Sequence, residues 1–186
     1  MAQRTGMGVA TALVLAAAGA AASAQEAHYD PNQLTIEFTG PPLVEVIAVD
    51  ELAEEEEFRG RYAGVVAGEP EDLFAGVEVN CEFEGLAAPG RALSGGFTTV
   101  EDVAGRCLFT ADNGDVAIAE WTCRTGAMMT SDARCEGKAE WVEGTGKFAG
   151  ITGTARFHSD LFLQPGKGFA KWKGEWRINA VAQLGR

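Results

Sequence analysis

The stretch Val77-Glu78-Val79-Asn80-Cys81-Glu82-Phe83-Glu84 decides the fold. Apolar residues at 77, 79, 81 and 83 alternate with polar ones at 78, 80, 82 and 84 without a break. Successive side chains of a strand point to opposite faces, so a period of two specifies one dry face and one wet face. The same rule runs outward in both directions. Phe58, Gly60, Tyr62 and Gly64 share a parity against Arg59 and Arg61. Ala117, Ala119, Trp121 and Cys123 form another set, and Cys135, Gly137, Ala139 and Trp141 oppose Glu136, Lys138 and Glu140. Near the C-terminus Ala170, Trp172, Gly174, Trp176 and Ile178 oppose Lys171, Lys173, Glu175 and Arg177.

Between Arg106–Phe109 and Val116–Cys123 lies Asp112-Asn113-Gly114-Asp115, whose Asn-Gly accepts the positive backbone angles of a tight hairpin. A turn centred on Asn113-Gly114 sets Cys107 opposite Glu120. No helical period appears after residue 58, and the 24 glycines fall between apolar runs. Seven to nine antiparallel strands follow, in an all-β domain. Glycines 60, 64, 137 and 174 on the inward parity permit strong curvature. The expected architecture is therefore a closed antiparallel β-barrel of about eight strands, which also removes exposed sheet edges.

The first block reads differently. Arg4 precedes the small-sided apolar run Val9–Ala22, and Ala22-Ser23-Ala24 fits a signal-peptidase site. Residues 1–24 are expected to be a removed signal peptide. Residues 25–57 are expected to form an N-terminal extension with one or two short elements, and residues 58–186 the barrel. Within the extension, Leu34–Phe38 suits a short strand. Gly40-Pro41-Pro42 is a breaker, and residues 43–57 fit a strand, a helical turn or a charged loop. No later run reaches the roughly 20 apolar residues that span a bilayer as a helix. The expected product is exported, periplasmic or extracellular, without a membrane span.

Acids outnumber bases by 27 to 15, and the net charge is −12. Nucleic-acid binding needs a positive surface that releases counterions, so this chain is not expected to bind nucleic acid. The cysteines are Cys81, Cys107, Cys123 and Cys135, an even number that suits two disulfides in an exported chain. Three pairings exist, and strand placement favours Cys81–Cys107 with Cys123–Cys135. No close Cys-x2–4-Cys pair suggests zinc, and no metal is expected. Nucleophile-elbow, HExxH and dinucleotide motifs are missing, and no cofactor is expected.

Glu143-Gly144-Thr145-Gly146-Lys147-Phe148-Ala149-Gly150-Ile151-Thr152-Gly153-Thr154-Ala155 resembles the glycine-rich turn-and-strand motif of the allene oxide cyclase-like and dirigent-like β-barrels. The likeness extends more loosely over residues 58–177. It implies an eight-stranded barrel with a lumen open at one end, in homodimers or homotrimers. Cyclase-type members guide ring closure of an apolar substrate there, and dirigent-type members orient phenolic radicals or assist elimination. The acid and tyrosine positions of those enzymes have no secure match in this chain. The glycines also have a purely structural use, in tight turning, with Phe148 and Ile151 plugging one barrel end.

Phe58, Tyr62, Phe83, Trp121, Trp141, Trp172 and Trp176 lie on the apolar parities and are the candidate ligand-binding residues; the same rings suffice to fill a core. Tyr62, Glu120 and His158 are the catalytic candidates. Tyr62 offers a hydroxyl to a cavity. Glu120 sits in an apolar strand, where facing the lumen would raise its pKa, although Ala117, Ala119 and Trp121 claim the inward parity. His158 offers an imidazole, a side chain suited to acid–base chemistry, and has Asp160 on the same face, but that face is the outward one. The acid cluster Asp50, Glu51 and Glu54–Glu57 reads as a solvated face. Two functions follow: a non-catalytic barrel that binds a small apolar or aromatic ligand in its lumen, or an isomerase, cyclase or lyase acting on such a compound.

Overall fold

Each alternating segment forms a strand in the computed structural model, which describes residues 32–40, 42–50, 55–87, 100–125, 135–160 and 168–178. The expected signal peptide and residues 51–54 of the acid cluster lie outside the described residues. The strands are β1 (Asn32–Phe38), β2 (Leu43–Asp50), β3 (Glu55–Ala67), β4 (Glu78–Ala87), β5 (Val100–Thr110), β6 (Val116–Thr125), β7 (Cys135–Gly144), β8 (Thr152–Ser159) and β9 (Phe169–Arg177). A single 3₁₀ turn, Gly146–Phe148, joins β7 to β8.

Neighbours pair antiparallel in the order β1-β9-β8-β7-β6-β5-β4-β3-β2, and β1 also pairs with β3. That last pairing closes an eight-stranded barrel. The cross-strand register runs from Gly60 through Phe83, Gly105, Trp121, Ala139, Ala155 and Gly174 to Asn32. Continued through the β1–β3 pairing it returns to β3 about ten residues further on. This stagger tilts the strands, and a barrel of this size has an interior just wide enough for packed side chains or one small ligand.

The expected domain boundary at residue 58 cuts through the barrel. β1 belongs to the segment read as an extension, yet it is the stave between β9 and β3. Leu34 and Ile36 of β1 are buried in the core. β1 lies beside Gly64–Ala67 of β3, and β2 lies beside Glu55–Arg61 of the same strand. The two are thus one strand position interrupted at Gly40-Pro41-Pro42, where proline supplies no N–H for a ladder. Beyond the break β2 pairs, among the described residues, only with β3, and Leu43, Ile47 and Val49 are exposed on it.

The β5–β6 hairpin forms where expected, with its register shifted by one. Cys107 faces Ala119, and Arg106 faces Glu120. Directly opposed residues share a face, so inward Cys107 must oppose an inward residue, and an odd loop length satisfies this. The loop is Asp112-Asn113-Gly114, with Gly114 at φ +84° supplying the left-handed position. Hydrogen bonds from Gly114 N to Ala111 O and from Ala111 N to Asp115 O close it, at 2.8 and 2.9 Å.

Both disulfides join the preferred partners, Cys81–Cys107 and Cys123–Cys135. The first links directly opposed residues of β4 and β5. The second crosses diagonally from β6 to β7, because Cys123 itself faces Gly137.

The Glu143–Ala155 stretch closes one barrel end. Phe148 and Ile151 are fully buried there. Phe74, from the β3–β4 connection, stacks on Phe148 and on Trp141 at ring-centroid distances of 4.8 and 5.1 Å. Asp115 accepts the Lys147 N–H at 2.7 Å, and Lys147 Nζ donates to the Leu73 carbonyl at 2.9 Å. Three connections are thereby tied into one cap. Phe148→Ala should lower unfolding free energy by about 3–5 kcal/mol in urea titrations; a loss below about 1 kcal/mol would show that the ring does not seal the end.

Candidate functional site

All seven rings expected to face the lumen are buried: Phe58, Tyr62, Phe83, Trp121, Trp141, Trp172 and Trp176. Phe74, Phe109 and Phe157 join them. Phe109 was legible on the parity of Cys107. Phe74 lies in a connection without period, so no alternation could announce it. Phe109 of β5 meets Trp172 of β9 edge-on at 5.7 Å, and these strands stand on opposite walls of the ring. Phe157 stacks on Trp172 at 5.6 Å, and Trp121 meets Phe157 edge-on at the same separation.

Small residues on the inner wall make room for the rings. Ala117, Ala119, Ala139, Ala155 and Ala170 all face inward and are at most 3% exposed. A Cβ on Gly105 would collide with the Trp121 indole, and one on Gly60 with the Phe83 ring. These two rings therefore lie flat over their neighbours' backbones. The closed barrel thus encloses a dry, aromatic lumen of the kind that accommodates a small ligand.

Few polar groups reach this interior. Tyr62 packs edge-on against Phe38 at 4.7 Å and contacts the Cys107 sulfur at 3.5 Å. Because that sulfur is in a disulfide and carries no hydrogen, the phenol donates. Burial pushes the Tyr62 pKa well above the ordinary phenolic range. The indole Nε1–H groups of Trp121, Trp141 and Trp172 are also buried, and none has an acceptor among the described residues.

The other catalytic candidates are on the opposite side of the wall. Glu120 is exposed on the outer face, between Arg106 and Glu140 in the register. His158 is half-buried on the same outer face, opposite Glu136 and Lys171. It touches the Phe169 ring edge-on at 6.0 Å. The backbone sheet therefore separates Tyr62 from Glu120 and His158, and the three do not converge.

One concave space, about 1440 Å³, is a groove that follows one register row across β2–β9. It is walled by outward side chains such as Arg61, Glu82, Glu120 and Lys138. Its floor is the backbone of residues whose side chains point inward; Ala139 and Ala155, at 3% exposure, show that the space does not continue into the lumen. Among the described residues no group of three or more His, Cys, Asp or Glu side chains is placed to hold a metal ion. Nor is any helix among them long and apolar enough to cross a membrane. In sequence, neither a protein-family model nor a curated protein matches this chain.

Tyr62 gives this interior a pH signature. Its folded pKa is raised above its unfolded value near 10, so the folded state holds the proton longer than the unfolded chain does. The stability this proton linkage supplies is complete below about pH 10 and is lost as pH rises beyond it. Chemical denaturation at increasing alkaline pH should show a steeper stability loss in the wild type than in Tyr62→Phe. A Tyr62 phenolate that forms reversibly near pH 10 in the folded protein would contradict this placement.

Proposed function

We propose that this protein is an exported, non-catalytic barrel that takes one small apolar or aromatic ligand into its lumen. The observation that carries the reading is the set of three indole N–H donors, buried in an apolar interior without acceptors among the described residues. An unsatisfied buried donor costs about 1–3 kcal/mol, so native interiors supply a partner from protein, water or ligand. A guest with a flat apolar body and a neutral acceptor oxygen meets both demands. The rings cover its body, and an indole donates to its oxygen.

Rings from opposite walls already touch across the lumen, so a guest enters by displacing side chains. The resemblance of the Glu143–Ala155 stretch to allene oxide cyclase-like and dirigent-like barrels supports use of the interior as a ligand cavity. Export from the 1–24 signal, and assembly as a homodimer or homotrimer, belong to the same proposal. Ring closure or elimination would need an acid or base near neutral pH. Tyr62 is the one buried titratable side chain among the described residues, and its environment keeps it neutral. That favours binding over catalysis.

The test compares 2-acetylnaphthalene with 2-ethylnaphthalene, which share a ring system and differ in the acceptor oxygen. Both should bind saturably at one site per chain and quench tryptophan fluorescence. The ketone should bind about fivefold more tightly, the worth of one net hydrogen bond. Replacing Trp121, Trp141 and Trp172 singly by Phe should abolish that preference in at least one variant while leaving the ethyl compound bound. Absence of saturable binding by either compound would sink the reading.

A further inference from the structure

Lys138, Arg156 and Lys173 stand side by side on the outer face of β7, β8 and β9, directly opposed in the register. The next outward row on the same strands holds Glu136, His158 and Lys171. Like charges directly opposed across strands repel, so folding by itself disfavours this row. The surrounding chain makes it more unusual, since acids outnumber bases by 27 to 15. None of the four Lys and Arg side chains forms an ion pair among the described residues. Between the two rows lies a notch of about 370 Å³, lined by Arg156, Lys171, Lys173 and His158, with Gln33 and Thr35 of β1 completing it. Glu136 is its single carboxylate.

We propose that this notch is a binding site for a compact oxyanion of the phosphate or sulfate class. Arg156 presents a planar fork that binds two oxygens at once, and the lysines act as point charges. Lys171 and Lys173 are two residues apart on one strand, hence about 6.7 Å, and Arg156 projects from the adjacent strand about 4.8 Å away. Their flexible ends reach one tetrahedral group from three directions. Lys171 Nζ sits 5.0 Å from the Phe169 ring centroid, which holds it at the rim. Beyond Lys138 and Lys173 the next outward row on these strands is Glu140, Thr154 and Glu175. A long polyanion running along the strands would meet those carboxylates, so the site selects a compact group. The oxyanion is borne either by a free small molecule or by a lipid headgroup.

The test titrates inorganic phosphate into the mature protein by NMR and by thermal denaturation, at constant ionic strength. Saturable shifts at residues of β8 and β9 and a rise in Tm are expected. The double variant Arg156→Gln/Lys173→Gln should bind at least about tenfold more weakly and lose the Tm response. Because it relieves repulsion, it should fold at least as stably as the wild type. Arg106→Gln, on the outer face between Glu82 and Glu120, should leave phosphate binding unchanged. Flotation with phosphatidic acid vesicles against phosphatidylcholine vesicles identifies the source. Capture that the double variant abolishes assigns a lipid headgroup, and phosphate binding without capture assigns a soluble anion. Unsaturable shifts, or equal phosphate affinity in the wild type and the double variant, would overturn the proposal.

Discussion

The contact between Phe109 and Trp172 across the barrel is the constraint on which the rest of the structure depends. A sheet of eight strands closes only if its inner face holds enough apolar volume to exclude water and enough small residues to let large ones cross. Rings from opposite walls meet at the centre, and alanines and glycines flank them on the wall. Gly105 yields its side-chain space to Trp121, and Gly60 yields its space to Phe83. The cap obeys the same logic. Phe74, Phe148 and Ile151 extend the aromatic column to one end, and Asp115 and Lys147 fasten the loops that carry them.

Closure sorts the chemistry into two compartments. Inside are hydrogen-bond donors with little capacity to move protons: a phenol held neutral by burial, the Ser159 hydroxyl and four indoles, three of them without an acceptor among the described residues. Outside are nearly all the charges, in rows set by the register. The separation follows from the cost of desolvating an ion, which an apolar interior of this size cannot offset. It also explains why Glu120 and Trp121, adjacent in sequence, have unrelated surroundings. The dry compartment suits a neutral guest. The wet face suits ionic recognition wherever the rows bring like charges together.

Closure is also a long-range event. The stave that completes the ring, β1, comes from the start of the described chain and lies between β9 and β3, so the barrel cannot form until both ends of the domain are in place. The two disulfides hold β4 to β5 and β6 to β7, and so fasten the middle of the sheet while leaving this seam to hydrogen bonds and packing. The proline break after β1 allows β2 to leave the ring and continue along β3 alone.

Period-two alternation by itself determined that Phe58, Phe83, Trp121 and Trp172 face inward, and that Glu120 and His158 face outward. A side chain's face depends only on its parity within a strand. The glycine pattern likewise announced curvature, and cysteine positions on adjacent strands announced their partners. Tertiary structure alone decided what depends on counting across strands. The odd hairpin loop shifted Cys107 to Ala119. The stagger of the ring brought Phe109 to Trp172, and a connection without period placed Phe74 in the cap. The cationic row also belongs here: Lys138, Arg156 and Lys173 are scattered in sequence, and only the register of three strands makes them neighbours. Parity is a local property of the backbone, whereas register is settled by the packing of the whole ring.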